Sequence, residues 1–124
     1  MKHTEGFLKL VDDAKSRVRE VDVEQTLERT GQGARLIDVR EDNEWQRGHA
    51  HGAEHMGRGI IERDIETQVP DKATELILYC GGGYRSALAA DNLQRMGYTN
   101  VFSIAGGWKA WKEACAPVEG GAEG

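Results

Sequence analysis

The sequence predicts an α/β fold with a mainly parallel sheet, and three observations predict it. Short apolar runs alternate with amphipathic helical segments through most of the chain, the pattern of strand–helix–strand units. The clearest of these runs, Glu75 to Tyr79, is continuously apolar after its first residue, as in a strand buried on both faces of a parallel sheet. The 124 residues, 39% of them hydrophobic, suffice for one core and not for two.

The elements follow in order. Residues 1–19 read as an amphipathic helix, with Phe7, Leu10, Val11, Ala14 and Val18 at helical spacing. Its mixed polar face, with acidic residues in it, predicts packing on the domain rather than on a membrane. Asp22 and Gln25 have capping-box spacing and start a second helix that Gly31-Gln32-Gly33 ends. Arg35 to Arg40 is a strand, Glu41 to Arg47 a short helix, and Gly48 to His55 a turn-rich segment. A helix is expected over Ile60 to Thr67, then the breaker Pro70-Asp71-Lys72. After the strand at Glu75 to Tyr79 come a helix over Tyr84 to Met96 capped by Gly97, a strand over Val101 to Ile104, and a helix carrying Trp108 and Trp111. The Gly- and Glu-rich end is expected to be disordered. The chain thus divides into a helical extension (1–19), a single domain (20–115) and a flexible tail (116–124), with no repeat.

Composition excludes several functions. With 16 basic and 21 acidic residues the formal charge is −5, which argues against a phosphate-tracking nucleic-acid surface. The longest apolar stretch, Leu76 to Cys80, is far short of the ~20 residues that span a bilayer. The N-terminus leads into no signal-peptide core. Two cysteines, Cys80 and Cys115, exclude a disulfide scaffold and favour a reducing, cytoplasmic setting. No membrane or nucleic-acid partner is expected.

In parallel sheets ligands sit beyond the carboxyl ends of strands. Beyond Tyr79 lies Cys80-Gly81-Gly82-Gly83-Tyr84-Arg85-Ser86, between the buried strand and a helix. Three glycines allow a sharp turn that brings several backbone N–H groups inward, and the helix adds its positive dipole end. Such a cradle would stabilise a thiolate, a persulfide anion or an oxyanion at Cys80. Arg85 either contacts an anion or acts as an internal strut, paired with Asp38 or Glu44. Arg40 is an anion contact or a salt-bridge partner, the latter reading being preferred. Asp38 and Glu44 are assigned support, because a carboxylate at the sulfur would oppose its ionisation. His49, His51 and His55 are spaced like metal ligands, but a site needs convergent geometry and more ligands than are evident, so a metal is not expected there. Cys115, 35 residues after Cys80, is expected to be partly buried and passive. Trp108 and Trp111 are expected in packing.

These residues resemble the single-domain rhodanese family of sulfurtransferases. The resemblance is carried by Leu36-Ile37-Asp38-Val39-Arg40-Glu41, Glu44-Trp45, Gly48-His49, Gly52-Ala53, His55, the segment from Tyr79 to Ser86, Leu93, Gly97-Tyr98, Val101, Gly106-Gly107-Trp108 and Ala110-Trp111. It implies a central five-stranded, mainly parallel sheet flanked by helices. It further implies that Cys80 takes the outer sulfur of thiosulfate or another persulfide donor and passes it to cyanide or a thiol. A protein sulfur donor or acceptor is a further class of partner, and the chemistry calls for no cofactor and no metal. Related phosphatases and arsenate reductases have five residues between cysteine and arginine, whereas four, Gly81 to Tyr84, lie between Cys80 and Arg85. A non-catalytic docking module and a persulfide sensor are the competing functions. The chain departs from thiosulfate-specialised members at Gly82, where they carry Lys, and at Glu44, where they carry Arg. His51 stands where the family usually has Pro.

Overall fold

The computed structural model describes residues 3–120. Helices α1 (Glu5–Lys15), α2 (Val23–Gly31), α3 (Asp42–Gln46), α4 (Ile61–Gln68), α5 (Tyr84–Arg95) and α6 (Gly107–Glu113) alternate with strands β1 (Arg19–Val21), β2 (Arg35–Asp38), β3 (His49–Ala50), β4 (Glu54–His55), β5 (Leu76–Tyr79), β6 (Val101–Ile104) and β7 (Val118–Glu119). Five strands form a sheet in the order β1-β6-β5-β2-β4, with every pairing parallel. β3 and β7 make a separate antiparallel pair.

Side-chain alternation along β5 explains why its sequence is continuously apolar. Leu76 and Leu78 join α4 and α5 on one face, in a cluster with Ile37, Ile61, Ile65 and Leu93. Ile77 and Tyr79 join α2 and α6 on the other, with Leu36, Phe102, Ile104 and Trp111. Both faces are therefore covered, and no residue of β5 reaches water. α1 lies outside this sandwich. Val11 and Ala14 pack on Leu88 of α5, flanked by Phe7 and Tyr84. The Arg17 guanidinium donates to both oxygens of Asp91 (2.9 and 2.8 Å), tying the end of α1 to α5.

The capping box at Asp22 forms as expected: Gln25 N–H donates to Asp22 and Asp22 N–H to Gln25 (2.7 and 2.9 Å). The short strands differ from expectation. The first helix stops at Lys15, and Arg19–Val21 is the edge strand β1, so a boundary at residue 19 cuts into the sheet. Three residues, of which only Val21 is buried, are too few to display strand periodicity. The turn-rich segment holds β3 and β4, each two residues long. The expected tail is packed where described: β7 pairs with β3, and His51 N–H donates to the Pro117 carbonyl (2.9 Å). A proline at position 51 could not make that bond. Residues 121–124 of the expected tail, and Met1 and Lys2 of the first helix, lie outside the described residues. No helix among the described residues is long and apolar enough to cross a membrane.

Candidate active site

Cys80 leaves the carboxyl end of β5, the sheet's central strand, and only 1% of its surface is exposed. It forms the floor of a cleft of about 870 Å³ together with Gly81, Gly82, Tyr84 and Arg85. The walls come from elsewhere: His3, Thr4 and Phe7 at the start of the chain, Glu44 of α3, and Arg58 between β4 and α4.

The loop is held from behind. Trp108 N–H donates to the Cys80 carbonyl (2.7 Å) and Lys109 N–H to the Gly81 carbonyl (3.1 Å). This clamp requires Gly107, whose backbone lies directly against the Cys80 carbonyl at a φ of +50°. Gly83 has a φ of +97°, which a residue with a side chain adopts only under strain, and a Cβ there would press on the Ile104 and Gly106 backbone at 3.2 and 3.3 Å. That conformation turns Gly83 N–H onto Cys80 Sγ at 3.1 Å. The Cys80 thiol faces Ser86 Oγ at 3.5 Å, and Ser86 Oγ is 2.8 Å from Ser103 Oγ. Among the described residues one backbone N–H reaches the sulfur, fewer than the cradle read from the three glycines. Gly82 is open to the cleft, with nothing near the position of a Cβ.

Arg85 is a strut, and its partner is Glu44 rather than Asp38. Its Nη1 and Nη2 donate to the two Glu44 oxygens at 2.8 and 3.1 Å. The Arg85 hydrogen bond pulls the Glu44 carboxyl down to about 2. Asp38 belongs to a different, fully buried network. Arg40 Nη2 donates to Asp38 (2.8 Å) and to the Gly48 carbonyl (2.7 Å), and the Tyr79 hydroxyl donates to Asp38 at 2.6 Å. Ala50 N–H donates to that hydroxyl at 3.0 Å. The preferred salt-bridge reading of Arg40 matches these bonds, but Arg40 is 3% exposed and not a surface charge. Its guanidinium sits 4.7 Å from the centre of the Trp108 ring. The network thus ties the segment after β2 to β5 and to the helix that clamps the cysteine loop.

Among the described residues the histidines form no group that could hold a metal ion. His49 and His55 both stack on Trp45, with ring centres 3.4 and 4.8 Å away. His51 and His49 both reach Glu119 (2.9 and 3.5 Å), and His55 hydrogen-bonds the Arg40 carbonyl (2.9 Å). Cys115 is exposed instead of partly buried, because it follows the last turn of α6 on the surface. Trp111 is buried in the core.

Four participants carry no local mark of their role in the sequence. The α6 clamp is visible there as Gly106-Gly107-Trp108, part of the family resemblance, with nothing that marks its bonds to the cysteine loop. Ser103 lies in an apolar strand with no mark of its partner. Arg58 and the Phe7 wall are brought to Cys80 by tertiary packing, and no local spacing signals them.

A family model described as a rhodanese-like domain matches residues 22–114. Thiosulfate sulfurtransferase GlpE of Pseudomonas entomophila is 31% identical over 97 residues, covering 78% of this chain and 87% of that protein. The uncharacterized protein YqhL of Bacillus subtilis is 37% identical over 81 residues, 63% of this chain and 60% of that protein, so the match spans less than two thirds of its length. Among solved structures, a Rhodopseudomonas palustris protein described as of unknown function and a possible tyrosine phosphatase superposes with a TM-score of 0.81 at 31% identity, covering 96% of this chain and 98% of that one. The polysulfide-sulfur transferase homodimer of Wolinella succinogenes has the same fold, with a TM-score of 0.81 at 24% identity over 94% of this chain and 89% of its own.

Proposed function

The chain belongs to the rhodanese-like family, and from that membership we propose that it is a sulfurtransferase with Cys80 as its sulfur carrier. The observation that carries the reading is Cys80 at the carboxyl end of β5, facing a cleft, with Gly83 N–H on its sulfur. A Cys80 thiolate attacks the outer sulfur of a donor. The new Sγ–S bond forms as the donor's S–S bond breaks, and the remainder leaves as sulfite from thiosulfate or as a thiolate from a persulfide. The Cys80 persulfide then yields its outer sulfur to cyanide or a thiol and the thiolate returns. No net oxidation occurs, and two half-reactions imply ping-pong kinetics. Gly83 N–H supports the anion in each state. The Ser86 hydroxyl can turn to donate to the sulfur, with Ser103 donating to Ser86 in turn.

Thiosulfate suits this cleft less well than its relatives' names suggest. Glu44 occupies Arg85, and Gly82 adds no cation, so the cysteine loop itself offers thiosulfate no free positive side chain. A reducing cytoplasmic setting would keep Cys80 ready between turnovers.

Intact-mass measurement after incubation with thiosulfate, polysulfide or an organic persulfide tests the reading. The expected result is the gain of one sulfur atom, reversed by reductant and absent in Cys80→Ser. No gain from any of the three donors overturns it. The Rhodopseudomonas likeness favours a second reading, phosphate-ester hydrolysis. Turnover of an aryl phosphate that is lost in Cys80→Ser, with no sulfur adduct, would select it. The four-residue spacing from Cys80 to Arg85 opposes it.

A further inference from the structure

The cations around Cys80 are not equivalent. Arg85 is bound to Glu44 and Arg40 to Asp38. Arg58 has no ion pair or side-chain hydrogen bond among the described residues, and its Nε is enclosed without an acceptor. Carboxylates on its other side are taken as well: Asp13 and Asp91, which share a smaller cleft with Arg58, are both held by Arg17. The enclosed Nε is out of reach of an incoming anion, but the terminal Nη groups hold no acceptor among the described residues and line the cleft, so they are the donors an anion would meet.

The cleft has room for more than a small inorganic donor. Its volume of about 870 Å³ lies in the range of pockets that hold organic ligands of some size. Phe7 and Tyr84 stand 6.2 Å apart by ring centres, with His3 against Tyr84 at 4.7 Å, so one wall is aromatic. An aromatic wall, an unanswered guanidinium and a sulfur nucleophile suit a donor with an organic body, a carboxylate and a terminal sulfane sulfur.

Resting on the sulfur-carrier reading, we infer that Arg58 is a specificity residue that binds the carboxylate of a low-molecular-weight organic persulfide. The body of the persulfide lies against Phe7 and Tyr84. Cys80 thiolate attacks the outer sulfur, the Sγ–S bond forms, the donor's S–S bond breaks, and the organic thiolate leaves. Arg58 takes no part in these bonds; it fixes the donor.

Two probes separate charge recognition from general binding: N-acetylcysteine persulfide and its methyl ester. Arg58→Ala is expected to raise KM for the acid about tenfold or more, with kcat little changed, and to leave the ester within about twofold. Phe7→Ala is expected to weaken both probes alike. Arg58→Lys keeps the charge but not the planar fork and should retain part of the preference. The Arg58 backbone N–H donates to the Val39 carbonyl whatever the side chain. If Arg58→Ala does not fold, the acid-to-ester ratio of Arg58→Lys decides. Equal losses for acid and ester, or none for the acid, overturn the Arg58 assignment while wild-type sulfur loading still stands. Failure of the wild type to load sulfur from any donor overturns the carrier reading, and this assignment with it.

Discussion

At the scale of single residues, the pairing of Glu44 with Arg85 decides much of the electrostatics. The pair is bidentate, and the two side chains are only 31% and 29% exposed, so it is more than a screened surface contact. Glu44→Gln should therefore have two effects of opposite value. It removes the partner that neutralises Arg85, and KM for thiosulfate should fall severalfold. It also removes a stabilising pair. The Glu44 carboxyl is depressed to about 2 in the folded chain, so its stabilising effect is complete above the unfolded value near ~4.3 and fades as pH falls through about 2. Urea melts should show wild type above Glu44→Gln at about pH 6, with the gap narrowing below pH ~4. A gap that stays constant down to pH ~2 would show that the pair does not stabilise the fold through charge.

At the scale of elements, the end of α6 carries the backbone's one positive-φ non-glycine among the described residues, Cys115 at a φ of +55°. Cys115 N–H donates to the Lys112 carbonyl and Ala116 N–H to the Trp111 carbonyl, a helix terminus that normally holds glycine. Cys115→Gly should raise stability by about 1 kcal/mol, or roughly 3–5 °C in Tm. Sulfur transfer should be unchanged, since Cys115 is exposed on a different element from the Cys80 loop. Loss of transfer would give Cys115 a chemical role. The same helix shows how an element serves the site from a distance. Its first N–H groups hold the Cys80 and Gly81 carbonyls and so fix the orientation of the cysteine loop.

At the scale of the whole molecule, α1 is an outer layer joined to the sandwich by a small apolar cluster and the Arg17–Asp91 pair. It also supplies a wall of the cleft through Phe7. Arg17→Ala leaves Asp91, 5% exposed, without that partner and loosens the attachment. Hydrogen exchange should quicken over residues 5–15 while β5 stays protected, because the two faces of the sheet keep their own clusters. Uniform loss of protection would show α1 to be integral to the core.

The sequence by itself determined the alternation of strands and helices, the capping box at Asp22, the buried central strand and the placing of Cys80 after it. Each is written in consecutive residues or at fixed helical spacing, where local physics suffices. Tertiary structure alone decided the rest. β1, β3, β4 and β7 exist only because a neighbouring strand supplies hydrogen bonds, since two or three residues have no pattern of their own. The choice of Glu44 over Asp38 by Arg85 depends on which carboxylate is already held, and Arg40 and Tyr79 hold Asp38. The approach of Arg58 and Phe7 to Cys80 depends on how α1 and the β4–α4 connection pack around the sheet. Such contacts join residues tens of positions apart, and no spacing along the chain records them.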